Sequence, residues 1–171
     1  MDSFRKTKRA YMIIKGFITV RTSSSRLPNK CLLQLGGDNI LTSVILRCIK
    51  YKIEPIVCTS VDPSDDIIEE ISQNLKVKCF RGSLENKLKR WSDCAVFYNI
   101  EEFHTIDADD PFFDGNEMIF SMKKLIAEDL DIILPTISSS NGGASVGYSL
   151  KSKILSEALK DTDDSTDTEM I

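Results

Sequence analysis

Within ten positions, Arg21-Thr22-Ser23-Ser24-Ser25-Arg26-Leu27-Pro28-Asn29-Lys30 gathers three cations and four hydroxyls. A triphosphate needs donors that converge on several oxygens at once, and guanidinium, ammonium, hydroxyl and backbone N–H groups supply them. The segment contains neither GxxxxGK[ST] nor GxGxxG, so it is neither a Walker loop nor a dinucleotide fingerprint. A solvated Ser-rich turn would have the same composition. Position decides between the two readings, because the first loop of an α/β nucleotide site follows the first apolar run, as this segment does.

A second chemical group is Asp107, Asp109 and Asp110, which ends another apolar run just before Pro111. Proline lacks the backbone donor that a continuing strand needs. Alternate residues of a strand face one way, so Asp107 and Asp109 would converge if extension persists. Mg²⁺ takes one or two carboxylates together with phosphate oxygens, which suits such a pair. The plainer use is a turn-forming, helix-capping acidic cluster that includes Asp114. His104 is the only histidine and sits inside a strand pattern, so no Ser-His-Asp arrangement is expected and a hydrogen-bonded structural role is.

These groups need a scaffold. Short apolar runs at residues 13–20, 55–59, 77–80, 102–106 and 131–134 alternate with helical periodicity. Ile40, Leu41, Val44, Ile45, Cys48 and Ile49 make one helical stripe. Ile67, Ile68, Ile71 and Leu75 make a second, Leu88, Trp91 and Ala95 a third, and Met118, Ile119, Met122, Leu125 and Ile126 a fourth. Ser64-Asp65-Asp66 reads as a helix start with an acidic or hydroxyl cap. A weak strand over 145–150 and a helix over 152–159 follow the Ser/Gly-rich loop 138–143. The alternation predicts an α/β fold: a mostly parallel, twisted, Rossmann-like sheet with helices on both faces. Ligands in such sheets bind beyond the carboxyl ends of the strands.

Composition narrows the class. The 171 residues suit one domain, divided here into a basic N-terminal extension (1–12), a main domain (13–160) and an acidic, flexible tail (161–171). The apolar stretch 11–20 is broken by Lys15 and too short for a bilayer, and no signal-peptide cleavage site follows it, so no membrane role is expected. The net charge of −4 and the lack of a basic face with interleaved aromatics exclude a nucleic-acid partner. The five cysteines form no CxxC pair and share one histidine, which argues against zinc and for buried thiols in a reducing, cytoplasmic setting. Cys58 reads as a small buried side chain rather than a nucleophile. Lys87, Lys89 and Arg90 read as a solvated helix face, with Lys87 or Arg90 reaching a nucleotide as the competing reading.

Five ordered motifs carry a family resemblance: Arg21-x-x-Ser24-x-Arg26-Leu27-Pro28-x-Lys30; Leu35-Gly36-Gly37; Cys58-Thr59-Ser60 with Asp62; Phe80-Arg81-Gly82-Ser83; and Asp107-Ala108-Asp109-Asp110-Pro111-Phe112. Together they resemble the cytidylyltransferases, a group that includes the CMP-Kdo synthetases, the acylneuraminate synthetases and the spore-coat polysaccharide relatives. The resemblance implies a nucleotidyltransferase that uses CTP and Mg²⁺ to make a CMP-sugar for surface polysaccharide, releasing pyrophosphate. It implies that Arg21, Ser24, Arg26 and Lys30 bind the triphosphate, with Arg21, Lys30 and Asp109 catalytic. Thr59 and Ser60 would line the base and ribose pocket, and Arg81, Gly82 and Ser83 would lie against the nucleotide. Asp109, with Asp107, would hold the metal. Asn141, Gly142 and Gly143 would meet a sugar acid, whose carboxylate would find its nearest cations in Lys151 and Lys153.

Three departures from the family pattern matter. Asn29 and Ala108 stand where glycine is usual; Asn tolerates positive φ, whereas Ala108 requires an ordinary backbone. The family also carries a second metal-binding aspartate and a dimerisation element further on, and no clear counterpart is found up to Ile171. A homodimer therefore follows from the resemblance alone. A truncated or degenerate nucleotide-binding module without turnover, or use of another NTP, is the competing expectation.

Overall fold

The computed structural model describes residues 13–23, 27–134, 147–163 and 165–168. Eight strands and five α-helices lie among them: β1 (Lys15–Thr19), β2 (Gln34–Leu35), β3 (Asp38–Asn39), α1 (Ile40–Lys50), β4 (Glu54–Ser60), α2 (Asp66–Asn74), β5 (Lys78–Gly82), α3 (Lys87–Tyr98), β6 (Glu102–Asp107), α4 (Gly115–Ala127), β7 (Ile132–Ile133), β8 (Ser149–Lys151) and α5 (Lys153–Ala158). Six strands form one sheet in the order β5-β4-β1-β6-β8-β7, and β2 and β3 form a separate ribbon. β5, β4, β1 and β6 run parallel, while β8 is antiparallel to both β6 and β7.

Strand alternation builds two cores. On one face Ile14, Ile18, Val57 and Ile106 meet Leu41, Val44, Ile45 and Cys48 of α1, Ile68 of α2, and Met118 and Met122 of α4. On the other face Phe17, Ile56, Cys58 and Phe103 meet Trp91, Cys94 and Ala95 of α3 and Leu155 of α5. Phe17 and Phe103 stack with ring centroids 3.9 Å apart. A Cβ on Gly16 would lie 2.8 Å from Ile106 Cδ1 and 2.9 Å from Ile53 Cγ2, so the bare backbone lets two isoleucines close over β1. The α/β architecture with a mostly parallel sheet is thus as the sequence predicts.

The boundaries differ where capping chemistry is subtle. Asp62, not Ser64 or Asp65, caps the turn before α2: its carboxylate accepts from Ser64 N at 2.8 Å, and Pro63–Asp65 forms a 3₁₀ turn. The ribbon around Gly36, which has φ +67°, has no counterpart in the periodicity. No helix among the described residues is long and apolar enough to cross a membrane.

Residues 162, 163 and 168 of the expected acidic tail lie against the start of α3. Buried Asn86 caps that helix by accepting from Lys89 N at 2.9 Å. Its amide donates to Thr162 Oγ1 (3.1 Å) and Asp163 O (2.8 Å), and Thr168 Oγ1 accepts from Leu88 N at 3.1 Å. Asn86→Ala removes the cap and strands these partners, an expected cost of about 2 kcal/mol in urea unfolding. It should also speed hydrogen exchange at the Leu88 amide.

Candidate active site

The sheet changes direction between β1 and β6. From β1 the chain proceeds outward to β4 and then β5, and it returns to place β6 on the other side of β1. Loops at the carboxyl ends of such a pair diverge and leave a crevice, the usual ligand position in open α/β sheets. Thr19 of β1 pairs with Asp107 of β6, so the loop after β1 and the acidic turn after β6 leave the sheet side by side.

The first loop is tethered at both described ends. Asn29 N donates to Thr22 O at 2.8 Å, and Asn29 itself adopts φ 58°, ψ 21°, the left-handed conformation that asparagine tolerates. Lys30 begins the 3₁₀ turn Lys30–Leu32, and its Nζ reaches Asp109 Oδ2 at 2.5 Å. Arg21 turns toward the loop after β5, donating to Leu84 O at 2.5 Å and lying 3.9 Å from Glu85 Oε2. The structure therefore brings Lys30 and Asp109 into contact and leaves Arg21 half-buried against a different loop.

The acidic turn is equally fixed. Ala108 N donates to Thr19 O and Asp110 N to Asp107 O. Ala108 is absent from the positive-φ residues, so the ordinary backbone required there is met. Asp107 and Asp109 are exposed. Among the described residues no cluster of three or more His, Cys, Asp or Glu side chains is assembled for a metal, so phosphate or water oxygens would have to complete any coordination sphere.

Several residues expected to meet the nucleotide have protein partners within the described structure. Thr59 and Ser60 are buried, and their hydroxyls donate to Asp65 Oδ2 at 3.1 and 2.5 Å. Arg81 donates to Ser60 O, Asp62 O and Glu69 Oε2 and pairs with Asp66 Oδ1 at 2.7 Å, binding the end of β4 to α2. These carboxylates raise its pKa further. A Cβ on Gly82 would lie 3.3 Å from Arg90 Cγ, and Ser83 Oγ accepts from Asn86 N at 3.1 Å, so both serve the entry to α3. Lys87 and Arg90 are buried rather than solvated, and Arg90 donates to Ser83 O and Leu84 O. Lys151 pairs with Asp129 and Lys153 with Asp131. Lys151 pairs in register with Glu102 at the amino end of β6, the edge opposite the one that carries Asp107. Ser24, Arg26, Asn141, Gly142 and Gly143 lie outside the described residues.

Three residues around the crevice were not singled out for it by sequence pattern. Asp65, fully buried, also accepts from Thr22 N (2.8 Å) and Thr22 Oγ1 (2.7 Å). Burial alone would raise its pKa, but bonds from Ser60, Thr22 and Thr59 outweigh it and hold the carboxyl below its usual value. Trp91 Nε1 donates to Thr19 Oγ1 at 2.8 Å beneath the end of β1. Arg47 grips the acidic turn from α1, donating to Phe113 O at 2.7 Å. Burial pushes the Cys31 thiol up to about 11 and Cys58 well above its ordinary value, which suits small buried side chains. His104, nearly fully buried, shares a 2.7 Å hydrogen bond through Nδ1 with Ser149 Oγ.

A mostly parallel, helix-covered sheet whose switch point brings Lys30 against Asp109 has the architecture of a Rossmann-like domain of the nucleotidyltransferase fold. A cytidylyltransferase family profile matches residues 16–134, and the chain belongs to that family. An uncharacterized protein of Methanocaldococcus jannaschii is 38% identical over 102 residues, covering 58% of this chain and 42% of that protein. A cytidylyltransferase structure from Leptospira borgpetersenii superposes with TM-score 0.77 at 23% identity, covering 90% of this chain and 66% of that one. The structure of CMP:2-keto-3-deoxy-manno-octonic acid synthetase complexed with CTP gives TM-score 0.65 at 16% identity, covering 90% of this chain and 80% of that one. This chain thus spans less than half the length of the Methanocaldococcus protein and about two thirds of the Leptospira chain.

Proposed function

We propose that residues 13–160 form a transferase unit that moves CMP from CTP to a hydroxyl of a sugar acid, releasing pyrophosphate. The observation that carries this reading is the 2.5 Å contact of Lys30 Nζ with Asp109 Oδ2 across the β1–β6 switch point. A cation and an exposed carboxylate at one crevice are what a metal-bound triphosphate requires. Family membership supports CTP as the donor, and the relative solved with CTP acts on a keto-sugar acid.

Asp107 and Asp109 present hard carboxylate oxygens at the carboxyl edge, a donor set that fits Mg²⁺, and these two would hold it. When bound, Mg²⁺ would offset phosphate charge and lower the pKa of the attacking hydroxyl. Lys30 then leaves Asp109 for the oxygens of the departing pyrophosphate. Arg21 adds a second cation from the same loop, and Ser24 and Arg26 add donors. In the transfer a bond forms between the sugar oxygen and the α-phosphorus, the bond to pyrophosphate breaks, and the hydroxyl proton passes to solvent. Positioning and electrostatics carry such a reaction without a covalent intermediate.

Pyrophosphate release measured with each of the four NTPs, Mg²⁺ and a panel of sugar acids tests the proposal. The expected result is release with CTP and one keto-sugar acid, at least about tenfold above the other three nucleotides, a discrimination worth about 1.4 kcal/mol. Tight CTP binding with no release from any acceptor would replace it with a nucleotide-binding module. Release with another NTP would change the donor. The same preparation would be checked for a homodimer by light scattering, and the reading assigns it to the cytoplasm.

A further inference from the structure

We infer that Arg47 is a positioning residue for the acidic turn, holding Asp109 where a metal-bound triphosphate needs it; this rests on the function proposed above. Arg47 lies on α1 and reaches the chain that follows Asp109. Its Nε donates to Phe113 O at 2.7 Å, and its Nη2 lies 3.4 Å from Phe112 O. The guanidinium carbon sits 5.4 Å from the centre of the Tyr51 ring and 5.5 Å from that of Phe113, so one planar group grips two carbonyls and packs on two rings.

Tyr51 completes the clamp. It covers Gly115 so closely that a Cβ there would collide with the ring, which presses the start of α4 against the end of α1. At its other end the turn is held by Ala108 N donating to Thr19 O. Asp109 stands on backbone secured before and behind it, and its side chain is exposed between those anchors.

The side-chain restraints that Lys30 and Arg47 place on the turn differ in kind. Lys30 holds the Asp109 carboxylate itself, and that contact ends once phosphate draws the ammonium away. Arg47 holds main-chain carbonyls, which phosphate and metal leave in place. The Arg47 clamp therefore stays in place during turnover and, with the backbone bonds of Ala108 and Asp110, keeps the shape of the turn. A carboxylate displaced by about 1 Å loses much of its value as a ligand or orienting group.

Mn²⁺ titration by electron paramagnetic resonance at saturating CTP reads this directly. It is paired with the Mg²⁺ dependence of pyrophosphate release and with thermal unfolding, in wild type, Arg47→Gln, Arg47→Lys and Asp109→Asn. Arg47→Gln is expected to weaken Mn²⁺ about tenfold and to raise the half-saturating Mg²⁺ concentration by the same factor. KM for CTP at saturating Mg²⁺ should stay within about twofold. Arg47→Lys keeps the charge and one donor and should fall between Gln and wild type; it also serves if Arg47→Gln does not fold. If the folded Arg47 variants bind Mn²⁺ as wild type does while Asp109→Asn weakens it, the clamp is structural only and the inference is wrong. If Asp109→Asn leaves Mn²⁺ affinity unchanged, the metal reading of Asp109 fails and the inference falls with it.

Discussion

Lys30→Met should lower the rate of pyrophosphate release about 10²–10³-fold, the loss usual when one preorganised charge is taken from a developing anion. Methionine keeps much of the length and apolar stem of lysine, so the 3₁₀ turn Lys30–Leu32 and buried Cys31 beneath it need not move. The Lys30–Asp109 pair is partly solvated, with side-chain exposures of 28% and 44%, and pairs of that kind contribute about 0–1 kcal/mol to folding. For a domain of this size 1 kcal/mol is about 2–4 °C in Tm. Activity and stability are therefore expected to separate: a collapse in kcat with a Tm within a few degrees of wild type. The Lys30→Arg variant keeps the charge on a planar, longer group and should recover part of the rate. Near-full activity in Lys30→Met would remove Lys30 from the phosphate site and with it the main support for the proposed reaction.

The inner strands were legible because burial on both faces writes them as apolar runs: Phe17-Ile18 in β1 and Ile56-Val57-Cys58 in β4 point to opposite cores and are all fully buried. The β2–β3 ribbon has two residues a side, too few to show a period, and its Gly36-Gly37 reads as any turn. Lys30 and Asp109 were legible as a pair because both follow strand ends, and parallel neighbours put those ends on one edge. The placement of Lys151 was hidden for the converse reason. Nothing in its local sequence reveals that β8 is antiparallel, and that reversal carries the lysine to the other edge. Arg81 illustrates a further limit. A guanidinium fits a phosphate and a carboxylate equally well, and only the placement of α2 supplies Asp66 and Glu69 as its partners. Asp65 looked like an ordinary helix cap, since acids are common there; its inward turn depends on Thr22, Thr59 and Ser60 arriving from other segments.

That inward turn makes Asp65→Asn the substitution with the largest expected effect on stability. The carboxylate is fully buried and accepts from two backbone amides, Thr22 N at 2.8 Å and Ser60 N at 3.3 Å, and from three hydroxyls. Asparagine offers one oxygen and an NH₂ in place of two oxygens. Hydroxyls can rotate to accept from that NH₂, but a backbone N–H cannot, so one amide is left facing a donor at about 1–3 kcal/mol. Losing charge-assisted bonds adds to this, and the total should reach at least about 3 kcal/mol in urea unfolding at about pH 7. The pH dependence gives an independent signature. The folded pKa of Asp65 is held below that of the unfolded chain, about 3.9, so the carboxylate stabilises the fold above that value. The contribution declines as pH falls below about 4 through the folded pKa. The gap between wild type and Asp65→Asn should accordingly be widest near neutrality and narrow as the acid is approached. Because Thr22 opens the loop that leads to Lys30, the variant should also loosen CTP binding at temperatures where it is still folded. A gap that stayed constant from neutrality down to about pH 3 would mean that the folded and unfolded pKa values of Asp65 coincide, and one that widened toward acid would mean that Asp65 is protonated in the native state; either would overturn the ionised-carboxylate reading.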